Sequence, residues 1–252
     1  MSSLKFFDAN CRVGRGSRPA PGGIESAEDL LREMDEFDIE RALVHSNEAK
    51  LYDPVFGNDL LMKEIASSDR LEPCWVAPPP DARGPLDVAE YIDTAVQAGV
   101  RAVRVYNQAE TSYNYPLNEW MTGDLLSAMA EHRMPLFIEA LSSPWDDIRA
   151  VCLKYSDLPV VSVRPKYREA RWIYAFLDEL PNFYFTFSLF AVHRVLEDVC
   201  SKFGPEHMIF STDLPEFSPA IPIGMVMYAN ISDDDKALIA SGNLERLLGG
   251  VR

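Results

Sequence analysis

Five polar residues end short apolar runs at wide intervals along the chain. Asn10 and Arg12 close Phe6-Phe7-Asp8-Ala9-Asn10-Cys11-Arg12, Glu139 closes Phe137-Ile138-Glu139, Arg164 closes Val160-Val161-Ser162-Val163-Arg164, and Asp213 closes Ile209-Phe210-Ser211-Thr212-Asp213. Carboxylates and guanidiniums gathered from strand ends can do two things. A carboxylate can move a proton between water and a substrate. A pair of guanidiniums can hold a carboxylate or phosphate, or steady a developing oxyanion. What such a set does poorly is bind a cation, because a zinc site needs three or four deprotonated donors and arginine stays protonated. Asp213 therefore reads either as a general base or acid, or as the ion-pair partner of Arg164. Glu139 reads as a buried counter-ion to an arginine or, left unpaired, as an acid with a raised pKa. Arg12 and Arg164 read as ligand or counter-ion contacts, since a charge inside a protein costs several kcal/mol unless paired. Asn10 fits a hydrogen-bond network.

Strand alternation extends the set. Residues i and i+2 share a face, so Asp8, Asn10 and Arg12 are expected to point one way and Cys11 the other, while Arg104 and Tyr106 share a face farther on. Arg12, Arg104 and Arg164 would then converge and suit a carboxylate or phosphate. His45 closes Val44-His45 and faces either the same site or a satisfied core position. His132, His193 and His207 sit near element ends and read as structural. Trp75, Tyr106, Tyr113, Tyr115 and Trp120 either line a pocket or pack the core.

These residues need elements to hold them. Eight apolar, β-branched or aromatic runs begin near Lys5, Arg41, Leu71, Val100, Met134, Pro159, Asn182 and His207. Segments of helical period follow each run, the pattern of repeated βα units on a parallel sheet, and eight such units close a barrel. Ser26-Ala27-Glu28-Asp29 has the form of a capping box, and Ser143-Pro144 puts proline at a first helical position. Longer connections, Gly14 to Gly23, Asn107 to Asn118 and Pro215 to Ser232, follow the first, fourth and eighth runs, on the face where barrels carry their sites. The competing doubly wound sheet normally shows a glycine-rich phosphate turn, and Gly14-Arg15-Gly16 is too short a match. The expectation is an α/β fold, one (β/α)8 TIM barrel domain over residues 1–252.

Composition narrows the partners. With 24 Lys plus Arg against 39 Asp plus Glu, the net charge of −15 opposes a sequence-independent grip on nucleic acid or anionic lipid. The four cysteines, Cys11, Cys74, Cys152 and Cys200, show no Cys-x-x-Cys pair and read as reduced thiols. With no basic segment leading into an apolar stretch at the start, and no long apolar run, the expectation is a cytoplasmic protein without a membrane span. A homo-oligomer is compatible with all of this.

Three C-terminal strings carry a family resemblance: Leu180-Pro181-Asn182-Phe183-Tyr184-Phe185-Thr186, then Phe203-Gly204-Pro205-Glu206-His207-Met208-Ile209-Phe210-Ser211-Thr212-Asp213-Leu214-Pro215, then Ser241-Gly242-Asn243-Leu244-Glu245-Arg246-Leu247-Leu248-Gly249. They resemble the last strands and closing helix of the amidohydrolase superfamily, in its amidohydrolase-related branch of metal-dependent hydrolases and decarboxylases. That family opens with Asp-x-His-x-His on its first strand, where this chain has Asp8-Ala9-Asn10-Cys11-Arg12. The fifth- and sixth-strand histidine positions match Glu139 and Arg164, and the matching aspartate is Asp213. The resemblance implies zinc or another divalent metal for the family, whereas the substitutions lead to an expectation of no metal and no cofactor here.

The expected function is a hydrolase, or a decarboxylase or other lyase, acting on a small anionic molecule. Asp213 and Glu139 are the catalytic candidates; Arg12, Arg164, Arg104, Asn10, Tyr106 and His45 are the substrate-binding ones. The resemblance supplies a metal-free route as well: pyrone dicarboxylate lactonases use an aspartate base with cationic residues on the substrate carboxylates. Two alternatives stay open. One is a non-catalytic ligand-binding barrel. The other is a remodelled metal site built from Asp8, Glu139, Asp213 and His45.

Overall fold

The computed structural model describes residues 4–16, 23–80, 87–107, 115–140 and 143–252. Eight parallel strands lie in sequential order: β1 (Phe6–Val13), β2 (Ile39–Ser46), β3 (Leu71–Val76), β4 (Ala102–Val105), β5 (Leu136–Glu139), β6 (Val160–Val163), β7 (Phe183–Thr186) and β8 (Met208–Ile209). Single backbone bonds, Ala9 N–H to Phe210 O at 3.0 Å and Arg12 N–H to Leu214 O at 3.1 Å, join β1 to the chain leaving β8. The sheet is thus a nearly closed (β/α)8 barrel, as the eight runs predict. Helices α1 (Ala27–Glu36), α2 (Asn47–Leu51), α3 (Pro54–Ile65), α4 (Val88–Gln97), α5 (Glu119–Glu131), α6 (Trp145–Lys154), α7 (Ala170–Glu179) and α8 (Val195–Phe203) fill the crossovers. After β8 come α9 (Ala220–Tyr228), α10 (Asp233–Ala237), a π-turn and α11 (Asn243–Gly249).

The core has two layers because each buried strand has two faces. Phe7, Leu43, Cys74, Ala102, Phe137 and Val161 form an inner cluster, which Leu244, Leu247 and Leu248 of α11 join. The opposite strand faces pack with the helices in a larger outer cluster.

Local signals act largely as the sequence implies. Ser26 caps α1 with a reciprocal Asp29 contact, which satisfies donors that a helix start otherwise leaves free. Pro144, expected inside α6, stands one residue earlier as its cap. The stretch from Pro215 to Ser232, expected as a loop, contains α9, an apolar helix that turn-type residues at its start conceal.

The alternation expected of β1 fails. Its pairing with β2 shifts between Asp8 and Cys11, so the strand bulges there and its side chains change phase. Phe7 and Ala9 face the inner cluster, and Cys11 belongs to the outer one. Asp8 turns to the β8 side, where its carboxylate accepts from Thr212 N–H at 3.0 Å and from the Thr212 hydroxyl. Asp8 therefore does not share a face with Asn10 and Arg12.

Candidate active site at the barrel mouth

The site is built at the C-terminal ends of the strands. Asp213 lies beyond β8 with its side chain 1% exposed. Its Oδ1 accepts a short hydrogen bond from Asn10 Nδ2, and its Oδ2 accepts from Ser188 Oγ at 2.6 Å. Arg164 Nε stands 3.8 Å from Oδ2, an ion pair longer than a hydrogen bond. Burial raises the Asp213 pKa to about 6, an effect that the Ser188 contact, Arg164 and Asn10 only partly offset. The group can therefore both hold and release a proton near neutral pH.

Arg104, on β4 and 2% exposed, is the hub of the site. Its Nη1 donates to Asn10 Oδ1 at 2.7 Å and lies 2.8 Å from His45 Nδ1, while Nη2 is 3.6 Å from Glu139 Oε1. Tyr106, two residues on, contacts His45 Nε2 at 2.8 Å. Burial, together with Arg104, Arg12 and Lys50, holds the His45 pKa well below its ordinary value. His45 is therefore a neutral imidazole among cations. Arg12 Nη2 and Arg164 Nη2 donate to the two carboxylate oxygens of Glu216, at 2.5 and 2.7 Å.

All eight residues singled out in the sequence thus meet around one cavity or one shell from it. Asn10, Arg12, His45, Tyr106, Glu139, Arg164 and Asp213 line a space of about 10 Å³, the room of a single water molecule. Backbone geometry helps to aim two of them. Arg164 and Asp213 have φ of 59° and 66°, in the left-handed region that costs non-glycine residues and recurs at functional sites.

The remaining described aromatic and histidine candidates stand away from this cavity, the histidines in the structural places expected of them. Trp75 packs on Tyr91 in the core, with ring centroids 5.5 Å apart, Tyr115 is buried away from the cavity lining, and Trp120 is 74% exposed. Tyr113 lies outside the described residues. His132 bonds to Arg252 O and Asp93, and His207 bonds to Phe183 O; both are structural contacts. His193 is exposed.

Three members of the site escaped the sequence reading. Lys50 on α2 has its ammonium 4.8 Å from the centre of the Tyr106 ring. Burial lowers its pKa to about 8, with Glu139 opposing and Arg12 and Arg104 adding to the fall. Ser188 and Glu216 are the other two. All three lie in the connections that leave β2, β7 and β8 at the C-terminal face, and that position was the available signal.

The donor set bears on a metal directly. Among the described residues no three His, Cys, Asp or Glu side chains gather to hold a metal ion. The remodelled set does not assemble: Asp8 is turned to Thr212, while the Arg104 guanidinium stands among Asn10, His45 and Glu139. A fixed positive charge at that point opposes a second cation.

Fold and site together define a (β/α)8 barrel with its polar residues gathered at the strand C-termini. The chain belongs to the amidohydrolase family, whose model, described as Amidohydrolase, matches residues 24–250. No curated protein matches it. Among solved structures, 5-carboxyvanillate decarboxylase from Sphingomonas paucimobilis is similar at 16% identity, over 99% of this chain and 100% of that one, with a TM-score of 0.74. A dihydroxybenzoic acid decarboxylase from a Polaromonas species, solved with bound manganese and the inhibitor 2-nitroresorcinol, is similar at 16% identity over 97% of both chains, TM-score 0.73. The 5-carboxyvanillate decarboxylase of Novosphingobium aromaticivorans, solved with manganese and a nitrobenzoic acid, shares 13% identity over 98% of this chain and 97% of that one, TM-score 0.78. The manganese in the last two corrects the expectation of no cofactor. Similar proteins are thus solved with a divalent metal bound, and an assay of this chain has to include one.

Proposed function

We propose that this protein is a decarboxylase or hydrolase of a small carboxylate, with Asp213 handling the proton and Arg12, Arg104 and Arg164 holding the anion. One observation carries this reading: Arg12, Arg104 and Arg164 gather at the mouth that holds the buried Asp213, and Arg12 Nε and Arg104 Nε are buried without a hydrogen-bond acceptor among the described residues. Buried donors left unpaired cost about 1–3 kcal/mol each, so an anion that satisfies them gains binding energy. Neutral His45 and Tyr106 add a donor and an acceptor beside Arg104.

In decarboxylation the bond from the ring or α-carbon to the carboxyl carbon breaks, CO2 leaves, and the electron pair is quenched by a proton. Protonated Asp213 supplies that proton. In hydrolysis the ionised form takes a proton from water, and Arg164 faces the developing oxyanion. Decarboxylation is favoured by the relatives, two of which act on carboxyvanillate and one on a dihydroxybenzoic acid. Glu139 serves as counter-ion to Arg104, and Asn10 orients Asp213. The family match and the unbroken strand order support reading residues 1–252 as one such domain. The four unpaired cysteines support a reducing, cytoplasmic setting. No described helix is long and apolar enough to cross a membrane.

The test is a panel of hydroxybenzoates, carboxyvanillate and aryl esters, assayed by CO2 release and product chromatography, both after chelation and with added manganese. Turnover of a carboxylate that falls in Arg104→Gln and Asp213→Asn supports the reading. Carboxylate binding without turnover under either condition makes the chain a ligand-binding barrel and ends the enzymatic reading.

A further inference from the structure

We propose that Glu216 is the resident occupant of a carboxylate subsite formed by Arg12 and Arg164, and that a ligand carboxylate binds by taking its place. The inference rests on the reading that this mouth binds small carboxylates, and it adds how the mouth admits one. Glu216 spans the two arginines with one oxygen each, 2.5 Å to Arg12 Nη2 and 2.7 Å to Arg164 Nη2. That is how two guanidiniums clamp any carboxylate. Burial raises the Glu216 pKa, but the Arg12 hydrogen bond and the charges of Arg12, Arg164 and Lys50 outweigh it and hold the group below its ordinary value. The clamp therefore contains a full negative charge.

Room decides what has to move. The cavity that these arginines line measures about 10 Å³, whereas small-molecule sites run to roughly 300–1,000 Å³. Most polar groups around it are fixed. Arg104 and Asp213 are 2% and 1% exposed and each bonds to several buried partners, but the Glu216 side chain is 36% exposed. Among the described residues its side-chain ion pairs are with the two arginines, and its backbone N–H bonds to Asp213 O at 2.9 Å. Glu216 can swing to water without leaving a buried charge unpaired, provided that another carboxylate takes over the arginines. Exchanging one carboxylate for another keeps the local charge unchanged. A neutral isostere of the ligand cannot make that exchange, so the device also selects for an ionised acid. The Phe217 ring, 5.3 Å from the Arg164 guanidinium carbon, lies beside the vacating side chain and offers an apolar surface to a ring.

The experiment is calorimetric titration of benzoate and benzamide into the full-length wild type, Glu216→Gln, Glu216→Ala and Arg12→Gln proteins at fixed ionic strength. The expected result is weak benzoate binding to the wild type, at least roughly tenfold tighter binding to Glu216→Gln and Glu216→Ala, loss of binding in Arg12→Gln, and no benzamide response in any of them. Benzoate binding equally well or better to the wild type than to both Glu216 variants overturns the exchange and leaves the carboxylate reading intact. Benzoate binding to none of the proteins overturns both. Near-ultraviolet circular dichroism checks that each variant is folded, and Glu216→Asp, which keeps the charge on a shorter arm, is expected to fall between wild type and Glu216→Gln. Binding by Glu216→Asp as tight as by Glu216→Gln would overturn the claim that the resident charge is the competitor.

Discussion

Burial at Asp213 ties the chemistry of the site to the stability of the chain. Its folded pKa of about 6 lies above the 3.8 of an ordinary aspartate, so between those values the folded chain holds a proton that the unfolded chain has released. Stability is therefore lost as pH rises from about 4 to about 6, by ~3 kcal/mol in all. The Asp213→Asn protein is expected to lack that slope, so that denaturant unfolding of the two proteins diverges across this range in the variant's favour. Parallel curves would mean that the carboxyl is already ionised in the fold. The same substitution is expected to lower turnover by about 10²–10⁴-fold, the usual share of a proton-transferring group. How much of this was legible varies residue by residue. Arg12, Glu139, Arg164 and Asp213 stood out because charged residues ending apolar runs have few innocent explanations. Lys50 and Glu216 did not, because one sits in a short helix and the other in a turn, where a charge is unremarkable until the fold brings it to the mouth.

The barrel's strands were readable as elements because a buried parallel strand leaves a short apolar run, and all eight appear within two residues of where those runs begin. The bulge in β1 was not readable, since period-2 reasoning assumes an unbroken ladder and a register shift depends on the partner strand. Helix α2, which carries Lys50, was hidden for a similar reason: five residues leave no period to detect, and its place is set by packing on α3. That packing is tight at one point. A Cβ on Gly57 would lie 2.0 Å from the Ala49 backbone nitrogen, a contact that no rotamer change relieves. Gly57→Ala is expected to push α2 outward, costing about 1–3 kcal/mol in stability and weakening carboxylate binding as Lys50 leaves Tyr106. Gly224→Ala, with nothing within 4 Å of the new methyl, is the matched control. Identical melting and binding in the two variants would show that α2 is free to adjust.

Across the whole molecule, a net charge of −15 surrounds a mouth that gathers three arginines and a lysine. An approaching anion meets the repulsive far field before the attractive near one. Salt shortens the reach of the first, from about 30 Å at 0.01 M to about 8 Å at 0.15 M, while the buried pairs are screened much less. The benzoate association rate in stopped flow is therefore expected to rise over that range. A steep fall would show that the arginine cluster dominates the field outside the barrel as well. Charge balance sets the partners in broad outline, and it was the one whole-molecule property that could be read without any fold. The β1 bulge has a consequence of a different kind. By changing phase between Asp8 and Asn10, it gives one strand two separate tasks: Asp8 fastens the seam to Thr212, and Asn10, two positions later, serves Asp213. Mutations at the second position can alter what the mouth recognises without unfastening the first. Substitution at the opening strand thus reaches the mouth while the β1–β8 seam is inherited unchanged.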